Sequence, residues 1–125
     1  MSKILIVEDN AALRGGYCAI LAAAGHEVYE ATDGAVALRE AERVHPDLIL
    51  LDLLMPKMDG LTFLRMYDVK GKHPNVAVVI FSNSSAPAKV QEAMELGARR
   101  YLIKAVISPK EIARVVQAEL AAPAS

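Results

Sequence analysis

The sequence predicts the α/β class, with five β-α units folded into one domain as a five-stranded parallel sheet carrying helices on both faces. Three observations point there. Four short runs, 4–7 (ILIV), 48–51 (LILL), 76–81 (VAVVIF) and 101–103 (YLI), are almost unbroken in Leu and β-branched residues, the pattern of strands buried on both sides. Between them lie segments of helical periodicity with their own start and stop signals. At 125 residues, 54% hydrophobic and 5% aromatic, the chain is long enough for one buried core and too short for two domains.

The first strand, 4–7, leads into a helix whose Leu13, Tyr17, Ile20, Leu21 and Ala24 mark one face and whose end is set by Gly25. The second strand, 26–30, alternates only loosely and is expected at a sheet edge, exposed on one side. Asp33 caps the second helix, which turns Ala37, Leu38 and Ala41 inward and must stop before Pro46. After the third strand, 48–51, Pro56 fixes a turn. Asp59 and Gly60 then start the third helix, with Leu61 and Leu64 inward. The fourth strand, 76–81, precedes a helix with Pro87 near its first turn and Val90, Ala93, Met94 and Gly97 at i, i+3, i+4 and i+7. The fifth strand, 101–103, is followed by the clearest start of all: Ser108, Pro109 and Glu111 form a capping box, and Ile112, Val115, Val116 and Leu120 make a buried stripe. The domain is expected over 1–121, with 122–125 a short tail.

Repeated β-α units give parallel strands with right-handed crossovers. Five of them suit the doubly wound, flavodoxin-like order 2-1-3-4-5, which leaves the weak second strand at an edge. In that order a ligand site lies beyond the carboxyl ends of the strands, between strands 1 and 3. Those ends carry Glu8, Asp9 and Asp52, while strand 4 ends at Ser82 and strand 5 at Lys104. Two unit charges about 4 Å apart repel by about 4 kcal/mol at an effective dielectric of about 20, so the acidic cluster needs a cation or raised pKa values. Oxygen-only donors suit Mg²⁺, or Mn²⁺. A carboxylate attacking phosphorus needs the donor's charge neutralised, which a divalent cation and a Lys can do from opposite sides, while a hydroxyl bonds the transferred group. Singly, an Asp or Ser after a strand is often just a turn former and a Lys is usually solvated. All four strand ends being bland at once is improbable.

The stretches 4–10 (ILIVEDN), 46–60 (PDLILLDLLMPKMDG), 78–82 and 101–104 (YLIK) resemble the receiver domain family of two-component response regulators, over essentially the full length. The resemblance implies a phosphorylated regulatory domain rather than an enzyme, with Asp52 as phosphoacceptor, Lys104 as the phosphate-pairing cation and Ser82 as the switch hydroxyl. It makes Asp9 a direct Mg²⁺ ligand beside Asp52, with the backbone carbonyl of Leu54 a further ligand and Glu8 acting through a water. Tyr101 becomes the aromatic whose rotamer follows Ser82. The implied partners are a histidine kinase or histidine phosphotransfer protein, and a downstream protein or second copy on the face of the fourth helix, fifth strand and fifth helix. Three departures stand out. Ala105 follows Lys104 where the family commonly has proline; Asn83 follows Ser82 where a small residue is usual; Gly15 and Gly16 sit inside the first helix at a cost of about 1 kcal/mol each relative to Ala. Asn83, with Leu54 and Ser84 two residues after Asp52 and Ser82, is expected to flank the path of a hydrolytic water and to slow it.

With 14 basic and 15 acidic residues and no long run of either sign, the chain lacks the footprint of a nucleic-acid or membrane-surface binder. No apolar stretch approaches the ~20 residues that span a bilayer, and a cytoplasmic protein is expected. Cys18 is expected to pack as a small apolar residue, and Met55, Met58, Met66 and Met94 to fill core space. His26, His45 and His73 share no helix face with another ligand, which argues against a metal role. The rival readings are an unphosphorylated receiver-like scaffold, an aspartate-dependent phosphatase and a nucleotide or flavin binder. The phosphatase would want an acid where Leu54 stands, and the binder a Gly-rich loop where Glu8 and Asp9 would repel phosphate.

Overall fold

The computed structural model describes residues 2–55, 57–83 and 86–121; Pro56, Ser84 and the 122–125 tail, on which parts of the sequence reading fall, lie outside the described residues. In chain order the elements are β1 (Lys3–Val7), α1 (Ala11–Ala23), β2 (Glu27–Ala31), α2 (Gly34–Val44), β3 (Leu48–Leu51), α3 (Gly60–Tyr67), β4 (Ala77–Ser82), α4 (Pro87–Glu95), β5 (Arg100–Ile103) and α5 (Pro109–Ala121). A separate helical turn, Val69–Lys72, follows α3 beyond Asp68, whose φ of 54° breaks the helix, and a 3-10 turn, Lys104–Val106, joins β5 to α5. The sheet is parallel throughout in the order β2-β1-β3-β4-β5, as expected.

Burial explains the strand sequences. Residues 4–7 and 48–51 and all of β4 are buried, because both sheet faces are covered. Each Val, Leu, Ile or Phe side chain among them stabilises the fold by about 1.5–3 kcal/mol on leaving water. Ile4, Ile6, Leu48, Leu50, Val79 and Phe81 pack against Tyr17 and Leu21 of α1 and Ile112 and Val116 of α5. The alternate residues pack against Ala37 and Ala41 of α2, Phe63 and Leu64 of α3 and Ala93 of α4. Helices therefore cover both faces. Strand β2 is a half-buried edge, as expected, and β5 is the other edge, half-exposed, where the sequence suggested burial on both sides.

The predicted helix starts hold. Asp33 and Asp59 accept hydrogen bonds from the Val36 and Thr62 amides, and Ser108 and Glu111 cap one another's amides reciprocally at 3.2 Å. The Thr62 amide also holds the Asp59 carboxyl below its usual range. Pro87 occupies the first turn of α4. Gly25 adopts φ 97° just past α1, the left-handed conformation a glycine allows without strain. Gly97 does the same past α4, so it terminates that helix instead of lying on its stripe. The helical faces need correction too. On α1 the buried residues are Tyr17 and Leu21, while Leu13 and Ala24 are exposed. Met66 (57% exposed) and Met94 (38%) are surface residues, whereas Met55 and Met58 do pack against the core. Cys18 is half-buried against the α1–α5 core, and burial pushes its thiol up to about 11. Nothing in the structure explains Gly15 and Gly16, whose added Cβ atoms would meet nothing.

Candidate functional site

The parallel ladder sets the positions of the strand-end residues before any side chain acts. The Glu8 amide donates to Ala31 O at 3.0 Å and the Asp52 amide to Val7 O at 3.0 Å, so both residues leave the sheet held by their neighbours. Gly60 lets α3 start close behind: a Cβ there would lie 2.6 Å from Asp52 O and 2.7 Å from Leu53 Cα, both backbone atoms. Only glycine permits that approach. The Gly60 amide closes the loop by donating to Leu53 O at 3.0 Å.

Three carboxylates meet at this point. Oxygens of Glu8, Asp9 and Asp52 lie within 4.8 Å of one another, and among the described residues this is the one cluster of possible metal ligands. No histidine joins it. Asp52 is buried, accepting from the Leu54 amide at 3.1 Å and from Lys104 Nζ at 3.0 Å. Glu8 is buried as well, accepting from the Asn10 amide at 3.0 Å and from Lys104. Burial pushes the Glu8 carboxyl up, outweighing the opposing pull of the Lys104 ammonium. Burial alone would lower Lys104, but its bonds to Glu8 and Asp52 more than offset that and hold the ammonium above its usual value. Asp9 is exposed. All-oxygen donors at this spacing fit a hard divalent cation such as Mg²⁺, with room for water in its shell.

Around the carboxylates runs a cleft of about 270 Å³, lined by Asp9, Asp52, Leu54, Asn83 and Lys104, with Asn10 and Leu13 on the α1 side. A neighbouring hollow of about 360 Å³ shares Asp9 and Leu54 and reaches Asp59 and Lys89. The expected residues Glu8, Asp9, Asp52, Leu54, Asn83 and Lys104 are thus brought together. Ser82 stands at the last position of β4 and is fully buried. Tyr101 is half-buried against the α2–α4 core. The turn after Lys104, where Ala105 replaces the commoner proline, is a 3-10 turn that leaves Val106 78% exposed.

Four residues at the site escape a reading of the sequence. Asn10 caps α1 through Leu13 N at 3.0 Å; an Asn directly before a helical segment is a recognisable signal. Arg14 Nη1 donates to Glu8 O at 2.8 Å and Nε to Glu30 at 2.9 Å, tying the acidic pair to the edge strand. Phe81 places its ring 4.9 Å from Lys104 Nζ, and Tyr17 stands edge-on to that ring. No local signal marks the last three.

The family model for the response regulator receiver domain matches residues 4–117. The chain is 32% identical over 117 residues to the chemotaxis protein CheY of Thermotoga maritima, covering 93% of this chain and 92% of that one. It is 39% identical over 104 residues to a protein-glutamate methylesterase/protein-glutamine glutaminase of Anaeromyxobacter dehalogenans and 36% over 106 to the transcriptional regulatory protein YdfI of Bacillus subtilis. These matches take in 82% and 83% of this chain but only 29% and 48% of those relatives, so it spans less than half the length of either. Among solved structures, CheY4 of Vibrio cholerae superposes with TM-score 0.86 at 30% identity, covering 94% of this chain and 98% of the other.

Proposed function

Because the chain belongs to the response regulator receiver domain family, we propose that it takes a phosphoryl group on Asp52 and passes the change to a protein partner. The observation that carries this is the buried Asp52 carboxylate on the wall of an open cleft, bonded to Lys104 and within 4.8 Å of two further carboxylates. In the reaction, an Asp52 oxygen attacks phosphorus, the bond from phosphorus to the donor breaks with its electron pair leaving on the donor, and an acyl phosphate remains. Asp9, Asp52 and Leu54, the last through its backbone carbonyl, would hold Mg²⁺, or Mn²⁺, with Glu8 acting through a water. When bound, the ion neutralises charge on the transferring group. Lys104 releases Asp52 and pairs with the phosphoryl oxygens. The donor is a histidine kinase or histidine phosphotransfer protein, encountered in the cytoplasm, and the domain extends over 1–121.

The signal leaves through Ser82. Its hydroxyl bonds the phosphoryl group, Tyr101 follows into the space opened, and the face of α4, β5 and α5 shifts between two states. Met94 of α4 and Val106 of the turn after β5 are exposed, and the face of α4, β5 and α5 is the proposed surface for a downstream protein or a second copy.

Incubation with Mg²⁺ and phosphoramidate should add the mass of one phosphoryl group, and Asp52→Asn should not gain it. Amide resonances along β5 and the facing sides of α4 and α5 should move when beryllofluoride and Mg²⁺ are added. Efficient labelling of Asp52→Asn would move the acceptor elsewhere, and unmoved resonances would remove the switch.

A further inference from the structure

Lys104 does its proposed work with an ammonium on a flexible four-carbon stem, and such a stem has many rotamers to lose. In the structure the Lys104 side chain is 11% exposed, and its ammonium lies against Glu8, Asp52 and the face of Phe81, whose centroid is 4.9 Å from Nζ. Phe81 is fully buried. Its register partner on β5 is Leu102, and Lys104 opens the 3-10 turn that follows directly on that strand. The ring is fixed in turn by Tyr17 of α1, which meets it edge to face at 5.1 Å and 87°. A ring held this way presents one face, and a cation over an aromatic face is attracted to it most where water is excluded.

We propose that Phe81 is a positioning residue for Lys104, with Tyr17 setting the plane of its ring, so that the ammonium moves from the carboxylates to the phosphoryl group along a fixed aromatic face. This rests on the function proposed above. The ring does not touch the reacting atoms. It narrows the positions open to the ammonium while leaving free the short shift from Asp52 to a phosphoryl oxygen. An aliphatic side chain of similar volume would fill the same core space without holding the cation.

Site-specific replacement of Phe81 by phenylalanines carrying one, two and three ring fluorines keeps volume nearly constant and weakens the ring face in steps. Alongside them, Phe81→Leu removes the face. The maximal rate of phosphorylation by phosphoramidate should fall in order along the series, by about 5-fold at its end, with KM for the donor and Mg²⁺ affinity by calorimetry unchanged. In the resting protein, the ε-methylene protons of Lys104 should be shifted upfield by the ring in wild type and return to ordinary positions in Phe81→Leu. A rate that is flat across the fluorinated series overturns the proposal, and so does an ε-methylene shift indifferent to Phe81→Leu. If wild type takes no phosphoryl group at all, the functional reading fails, and the resonance comparison still decides whether Phe81 holds Lys104.

Discussion

Replacing Asp9 by Asn should make the metal-free protein more stable and its stability nearly indifferent to Mg²⁺. Oxygens of Glu8, Asp9 and Asp52 lie within 4.8 Å of one another. Repulsion across that gap is about 3.5 kcal/mol per pair at an effective dielectric of about 20, and about 0.9 kcal/mol in bulk water. Lys104 bonds Glu8 and Asp52, whereas Asp9 is exposed, so water screens its charge and the lower figure applies. Two such pairs amount to about 1.7 kcal/mol. The start of α1, capped at Asn10, favours a nearby negative charge and gives back about 0.5 kcal/mol.

A net gain of about 1 kcal/mol corresponds to a rise in Tm of about 4 °C for a domain of this size. Mg²⁺ at about ten times its Kd stabilises the wild type by about 1.4 kcal/mol through mass action, which erases the variant's advantage. Thermal unfolding of both proteins, followed by circular dichroism in EDTA and again with Mg²⁺, reads both effects. A variant that melts below wild type in EDTA would refute the electrostatic reasoning. Equal Mg²⁺-induced shifts in the two proteins would take Asp9 out of the metal site.

Two other outcomes follow from the walls of the cleft. Leu54 can neither orient a water nor donate a proton, and Asn83 adds bulk at the same opening, so the phosphorylated state should last minutes or longer; Asn83→Ala and Leu54→Asn should each shorten it, by up to about 100-fold, in phosphate-release assays with excess Mg²⁺, and a wild-type lifetime of seconds that neither shortens would sink the idea. Gly60→Ala should destabilise the fold by about 2 kcal/mol in urea unfolding and slow phosphorylation of Asp52, because the added Cβ meets backbone on two sides; a neutral effect would mean the loop yields freely.

The sequence carries the fold where burial is complete. β1, β3 and β4 are buried by helices on both sides, so almost every position in them must be apolar, and such runs are readable without knowledge of what packs on them. The site is readable for a related reason: parallel strands end together, and Glu8, Asp9, Asp52, Ser82 and Lys104 all stand at those ends. Helix faces were less legible. A 3.6-residue period marks a stripe but leaves its edges open, which is why Leu13, Met66 and Met94 lie on the surface while Phe63 and Tyr67 are buried. The 101–103 run of the fifth strand reads like a central strand, yet being last in the sheet leaves it half-exposed. Residues that act through another residue were illegible altogether. Arg14 reaches Glu8 and Glu30, and Phe81 reaches Lys104, only because strand order brings segments far apart in the chain to one place.

The charges at the site suggest an order of events. Three carboxylates and one ammonium leave two negative charges uncompensated when all are ionised, and burial already resists that state by pushing Glu8 up. A phosphoryl donor arriving then would bring more negative charge to a place that repels it, with Lys104 still occupied by Glu8 and Asp52. A divalent cation held at Asp9 and Asp52, as proposed above, would cancel that excess and loosen the hold of the carboxylates on Lys104, which would then be free to pair with the incoming group. On the proposed function, cation before phosphoryl group is therefore the expected sequence. The same balance makes the finished acyl phosphate depend on Lys104 more than the resting carboxylate does, since phosphorylation adds charge at Asp52 and leaves the local cations unchanged in number.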